Sequence, residues 1–329
     1  MTAQAGQVGG PAWPGVSGTP LIASRSLGRL VGLETLLFKV ECWQPTGSWL
    51  DRSAAAIVEA AVAEGRAGLC VLGIEPWTVP LAVCCARAGL RCVVLESVER
   101  DREAAEEGGW LTALGARTVA VMADGESLRR WAPVAADSAG LHLVLSGDPL
   151  LQSGLASAIQ EVERAGYADA VLALPSVTGG EHGWLAETAL MRRRVAVLGR
   201  LTEDIATSTS STDSFVLVND ISPREADAAR RLLAREEGLL VSRRGAAGFA
   251  GLVRALRDDR AKRPRERRLR DAASAVVVLT GDPLRAGDGP PVPADAVAAR
   301  PISLAELSSG LSRLLVEPPG RQAGEGTVT

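Results

Sequence analysis

From Leu36 onward, short β-branched apolar runs alternate with longer Ala-rich stretches whose apolar positions follow helical spacing. The runs LLFKVE, GLCVLG, RCVVLE, TVAVMA, LHLVLS, ADAVLALP, FVLVND and AVVVLTG read as strands. Helices are predicted over Asp51–Glu64, Trp77–Ala88, Arg102–Leu114, Leu128–Asp137, Leu150–Arg164, Pro223–Glu237 and Ala246–Arg257. Nearly continuous apolar strands separated by helices of this length argue for parallel sheets covered on both faces. The expected fold class is therefore α/β and doubly wound. In the helix Pro223–Glu237, Asp220 or Ser222 is placed to cap the start and Gly238 to end it.

At 329 residues and 47% hydrophobic, the chain has enough length for a sizeable core, and two domains are expected. A net charge of −3 gives no reason to expect nucleic acid or an anionic membrane as partner. The segment Arg254–Arg270 holds nine basic and three acidic residues without interleaved aromatics, and reads as a solvated helix end and loop. No apolar run approaches the roughly 20 residues that span a bilayer. The N-terminus has neither a basic nor an apolar signal region, so a cytoplasmic location is the default expectation.

All five cysteines precede residue 93, in an odd number and without regular spacing. They suggest buried free thiols rather than a disulfide framework or a zinc site, and no metal is expected. Of the 36 basic residues only Lys39 and Lys262 are lysines. Arginine keeps its proton, so amine chemistry has two candidate side chains at most.

Several segments, in order, resemble the threonine synthase branch of the pyridoxal-phosphate (PLP) enzymes that share the tryptophan synthase β-subunit fold. Thr19–Leu21 (TPL) and KVECWQPTGSWLDRSAAAIVEAA are similar to that family's opening, roughly K-x-E-x-x-N-P-T-G-S-F-K-D-R. ARAGLRCVVLES, LTALGARTVAV, ADAVLALPSVTGG, VNDISPREADAARRLLAREEGLLVSRRGAAGFAGL and VVVLTGDPL follow at the expected distances. The likeness covers roughly residues 18–315. It implies two doubly wound domains, a smaller one over 38–147 and a larger one from 18–37 plus 148–318. An arm (1–17) and a disordered tail (319–329) complete the expected organisation.

The same resemblance locates a cofactor site whose contacts are altered. Relatives hold PLP as an imine on a lysine, and that position is Leu50 here. Lys39 lies on a predicted strand, where active relatives also carry a lysine, and Lys262 is far along the chain from the cofactor loops. Pro76 stands where the family's asparagine meets the cofactor oxygen, and proline offers no donor. Ser242 and Arg243 replace a glutamate and a proline. The phosphate loop becomes Val177-Thr178-Gly179-Gly180-Glu181-His182, in which Thr178, Gly179 and Gly180 retain the means to bind phosphate while Glu181 repels it. Thr280 keeps the position that satisfies the pyridine nitrogen.

Four of the seven tryptophans fall on these loops: Trp43 and Trp49 flank the PTGS turn, Trp77 follows Pro76, and Trp184 follows the phosphate loop. Two readings stand. The indoles fill the space of ring and lysine stem, or, with Ser48, Pro76, His182 and Ser242, they line a pocket for an amino-acid-like or aromatic ligand. His142, in LHLVLS, reads as a core or strand-end residue.

Function is expected along one of two lines. The first is a degenerate, non-catalytic relative without covalent PLP, acting as a ligand-binding or partner subunit, as a homodimer or with an active homologue. The alternative is an amino-acid lyase or synthase that binds PLP without an imine or uses a repurposed pocket.

Overall fold

The structure, a computed structural model, describes residues 16, 18–97, 105–121, 123–145, 148–176, 195–202, 216–261, 269 and 272–281. All of them fall within one compact unit, Met1–Asp288. The described strands form two sheets. The larger orders β1 (Leu21–Ala23), β2 (Thr35–Val40), β10 (Ser274–Leu279), β7 (Val171–Pro175), β8 (Ala196–Leu201) and β9 (Val216–Ile221). The smaller orders β5 (Arg117–Val121), β4 (Arg91–Ser97), β3 (Gly68–Leu72) and β6 (Leu141–Val144). Every described pairing is parallel except β1 with β2.

The described helices are α1 (Leu27–Val31), α2 (Leu50–Ala63), α3 (Thr78–Ala88), α4 (Ala105–Ala113), α5 (Gly125–Ser138), α6 (Pro149–Arg164), α7 (Pro223–Leu232) and α8 (Arg243–Ala261). The strand period of two divides the large sheet's side chains between two apolar clusters. Leu37, Leu172, Leu174, Val276 and Val278 join one cluster with residues of α2, α3 and α6. Phe38, Ala173, Val277 and Leu279 join the other with residues of α7 and α8. Covering on both faces explains why these strands read as continuous apolar runs.

All eight apolar runs form strands. β1, β8 and α1 were not legible in the pattern: β1 and α1 are short, and β8 is interrupted by Gly199 and Arg200. The Arg200 guanidinium is held by Asp220 on β9, at 2.6 and 2.7 Å. With Asp220 so engaged, Ser222 caps α7, in a reciprocal capping box with Glu225. The helix predicted to reach Glu237 is α only to Leu232, then makes a π turn over Leu233–Glu237 that ends at Gly238 with φ +70°.

α2 packs against α6 and α3. A Cβ on Gly154 of α6 would lie 2.3 Å from the Ser53 Cα of α2, so glycine is what permits this close crossing. Ser53 Oγ donates to the Leu151 carbonyl at 2.6 Å at the same crossing. The start of α2 is thereby fixed against the body of the protein.

Candidate functional site

The turn Gln44–Trp49 enters α2, and its polar groups bind one another. The Asp51 carboxylate accepts from Thr46 N–H and Thr46 Oγ1 at 3.0 and 2.8 Å. The half-buried Ser48 accepts from Leu50 N–H through Oγ at 3.2 Å. Trp49 N–H donates to Thr280 Oγ1 at 3.1 Å, and Gly281 N–H donates to the Gly47 carbonyl at 2.7 Å. The end of β10 is thus laced to the turn.

Ser242 belongs to the same junction. Its N–H donates to the Gly281 carbonyl at 3.3 Å, and its Oγ accepts from Gly245 N–H at 3.0 Å, at the start of α8. A Cβ on Gly281, which has φ +91°, would lie 2.0 Å from Ser242 Oγ. The structure therefore brings Ser48, Trp49, Leu50, Ser242 and Thr280 together, although Gln44 and Thr280 are more than two hundred residues apart in sequence.

Leu50 is 1% exposed and Trp49 wholly buried, and both share an apolar cluster with Trp77, Ile57 and Leu81. Neither the Trp49 nor the Trp77 indole N–H has a hydrogen-bond partner among the described residues. Trp43, expected beside them, is 64% exposed instead. It lies on a 3₁₀ turn (Glu41–Trp43) and lines a surface cleft of ≈ 270 Å³ with Cys42 and Gly238–Leu240. Pro76 is exposed on the loop before α3, where Thr78 Oγ1 donates to the Gly73 carbonyl and accepts from Glu75 N–H. Thr178, Gly179, Gly180, Glu181, His182, Trp184 and Lys262 lie outside the described residues.

Beneath the turn runs a buried ion network. Arg52 grips Glu41 through Nε and Nη2 at 2.8 and 3.0 Å, and Glu161 of α6 through Nη1 and Nη2 at 2.7 and 2.9 Å. Lys39 Nζ lies 2.5 Å from Glu161 Oε2 and 2.5 Å from the Thr19 carbonyl. Thr19 Oγ1 donates to Glu41 Oε1 at 2.5 Å. Burial works against the Arg52 charge, but the hydrogen bonds to Glu161 and Glu41 outweigh it and push its pKa up. Burial likewise works to raise the Glu161 pKa, and hydrogen bonds from Arg52, Lys39 and Gly18 N–H override it, holding the carboxyl at about 2.

Two opposite-charge pairs close on themselves here, so the desolvation of each ion is offset by short bidentate contacts. Beside them opens a cleft of ≈ 370 Å³ lined by Gly18, Thr19, Leu21, Lys39, Glu161 and Arg164. Sequence reasoning missed this network. The pattern K-x-E followed by D-R was its only local signal, and Glu161 had none.

The remaining candidates are separate from the site. His142, on β6, sits 3.2 Å from Glu64 Oε2 through Nδ1. Among the described residues, no group of three or more His, Cys, Asp or Glu is arranged to hold a metal ion. No described helix is long and apolar enough to cross a membrane.

A family model described as pyridoxal-phosphate dependent enzyme matches residues 12–281. The chain belongs to this family. It is 29% identical to threonine synthase of Mycobacterium leprae over 331 residues, covering 85% of this chain and 88% of that one. With threonine synthase of Bacillus sp. (strain ULM1) it shares 23% identity, covering 90% and 89%. Among solved structures it is similar to serine racemase from Dictyostelium discoideum, at TM-score 0.63 and 15% identity over 80% of this chain and 92% of the other. The threonine deaminase of T.th. superposes at TM-score 0.58 with 21% identity, over 84% of this chain and 94% of that one. The fold is that of the tryptophan synthase β-like, fold-type II PLP proteins.

Within this member of the family, Lys39, Glu41, Asp51 and Arg52, the retained charged letters of the opening motif, all hold structure. Three of them build the ion network and Asp51 closes the turn.

Proposed function

We propose that this chain is a threonine synthase-like family member that holds no PLP as an imine and serves as a ligand-binding or partner subunit. The observation that carries this reading is the side chain at the start of α2. Where the resemblance places the reactive lysine stands Leu50, packed at 1% exposure in an apolar cluster.

The other residues fit the cofactor poorly. Lys39 is the single lysine among the described residues, and its ammonium is committed to Glu161 and to the Thr19 carbonyl. The Ser242 hydroxyl serves the start of α8. Among the described residues no amine is left uncommitted to act as the nucleophile of PLP chemistry, so no step is derived through the cofactor. Trp49 and Trp77 occupy buried core positions, in keeping with indoles that fill rather than line a cavity.

Incubation with PLP, borohydride reduction and peptide mass spectrometry test the reading. No stoichiometric pyridoxyl adduct is expected, and a full adduct on Lys39 or Lys262 would sink it. The partner role is tested separately by light scattering and by recovery from the source cell, where a dimer or a bound homologue is expected. A clean monomer that recovers nothing would leave a stand-alone binding protein.

A second reading, PLP bound without an imine, draws on Thr280. Its hydroxyl accepts from Trp49 N–H, which leaves its own proton to offer a ring nitrogen. A spectral shift of PLP on mixing, reversed by dialysis and lost in Thr280→Val, would favour this reading.

A further inference from the structure

The cleft of ≈ 370 Å³ beside the ion network has a lining whose charges do not cancel. Antiparallel pairing of β1 with β2 sets Leu21 opposite Lys39, and the last turn of α6 brings Glu161 and Arg164 to the same cleft. Glu161 is saturated. Its Oε1 accepts from Gly18 N–H and Arg52 Nη1 at 3.0 and 2.7 Å, and its Oε2 from Lys39 Nζ and Arg52 Nη2 at 2.5 and 2.9 Å. Those donors fill the roughly four acceptor positions of a carboxylate. The unfilled groups are donors. Lys39, 1% exposed, uses two of its N–H groups on Glu161 and the Thr19 carbonyl, and Glu41 Oε1 at 3.7 Å is too far to accept from the third. Arg164 is exposed and has no hydrogen-bond or ion-pair partner among the described residues. Lys39 and Arg52 balance Glu41 and Glu161, so Arg164 leaves the cleft with one positive charge in excess.

We propose that this cleft binds the carboxylate of a small organic acid, which accepts from the Arg164 fork and from the remaining N–H of Lys39. A guanidinium presents paired N–H groups that match a carboxylate, and charged partners make the stronger hydrogen bonds. One negative charge completes the balance. A second would be repelled by Glu161 and Glu41, in a half-buried site where water screens poorly. A cation finds no unfilled carboxylate oxygen on the described lining. The volume lies at the small end of ligand pockets, which suits an acid of a few heavy atoms rather than a nucleotide. None of Trp49, Leu50, Ser242 and Thr280 belongs to the described lining, so this site is separate from the start of α2 and does not rest on the reading proposed for it.

Acetate is the probe, titrated into the full-length protein at neutral pH and constant ionic strength, with chloride as the balancing anion. Binding is followed by saturation-transfer NMR on the acetate methyl group and by the melting temperature. A saturable transfer signal and a saturable rise in melting temperature are expected. Arg164→Gln should melt like the unliganded wild type, since the side chain holds no described element in place, yet weaken acetate binding about tenfold or more. Arg129→Gln, at an exposed position on α5, should leave binding intact. Effects that fail to saturate, that chloride reproduces, or that persist in full in Arg164→Gln would overturn the inference. Displacement of acetate by inorganic phosphate at lower concentration would overturn the assignment to a carboxylate.

Discussion

Arg52 and Glu161, one on α2 and one on α6, meet through two parallel N–H···O bonds of 2.7 and 2.9 Å. The same guanidinium holds Glu41 with two more, so one side chain joins the turn after β2 to the helix α6. Arg52→Ala would leave the buried Glu41 and the half-buried Glu161 with Lys39 as the one cation still paired with them among the described residues. A loss of about 3–5 kcal/mol is expected, read by urea unfolding. A loss below about 1 kcal/mol would mean that the network is solvated.

The pH dependence follows from Glu161, whose carboxyl is lowered in the folded protein from 4.5 to about 2. Its contribution is present above pH 4.5 and is lost as pH falls through the folded value. Stability should therefore decline between about pH 4.5 and 2, by on the order of 2 kcal/mol from this group. Glu161→Gln should be less stable at neutral pH and show a flatter acid limb. Parallel limbs for the two proteins would show that another carboxylate sets the decline.

Leu50→Lys should not restore amino-acid turnover. The new ammonium would enter an apolar cluster with Trp49 and Trp77, while Ser242 and Thr280 remain engaged as described. Burial without a partner disfavours the charge and costs stability, and a catalytic set acts as a unit. Thermal melting should drop and assays with serine, threonine and O-phosphohomoserine should stay at background. Robust turnover by this single variant would show an otherwise intact site.

The tryptophans divide by burial. Trp49→Ala and Trp77→Ala should each cost about 3–5 kcal/mol, while Trp43→Ala, at 64% exposure, should fall within about 0.5 kcal/mol of wild type. Equal effects at all three would contradict the packing. A metabolite that quenches tryptophan fluorescence and raises the melting temperature, with both effects lost in Trp49→Ala, would show that the indoles line a working pocket.

Local pattern alone determined most of the elements. The eight apolar runs become strands, Gly238 ends the helical stretch that starts at Pro223, and the run of motif-like segments carried the family. The choice of Ser222 over Asp220 as the cap was made by the structure. Leucine at position 50, where the resemblance puts a lysine, was also legible without coordinates. Only tertiary structure decided what the remaining residues do. Thr280 meets Trp49, Ser242 meets Gly281, and Glu161 completes a network begun by Lys39, Glu41 and Arg52, across separations that no local period encodes. Burial separated Trp43 from Trp49 and Trp77, which look alike in sequence. Helix and strand propensities act over a few residues. Buried charge and hydrogen bonding are satisfied by whichever group the fold brings near, and that choice is made by packing.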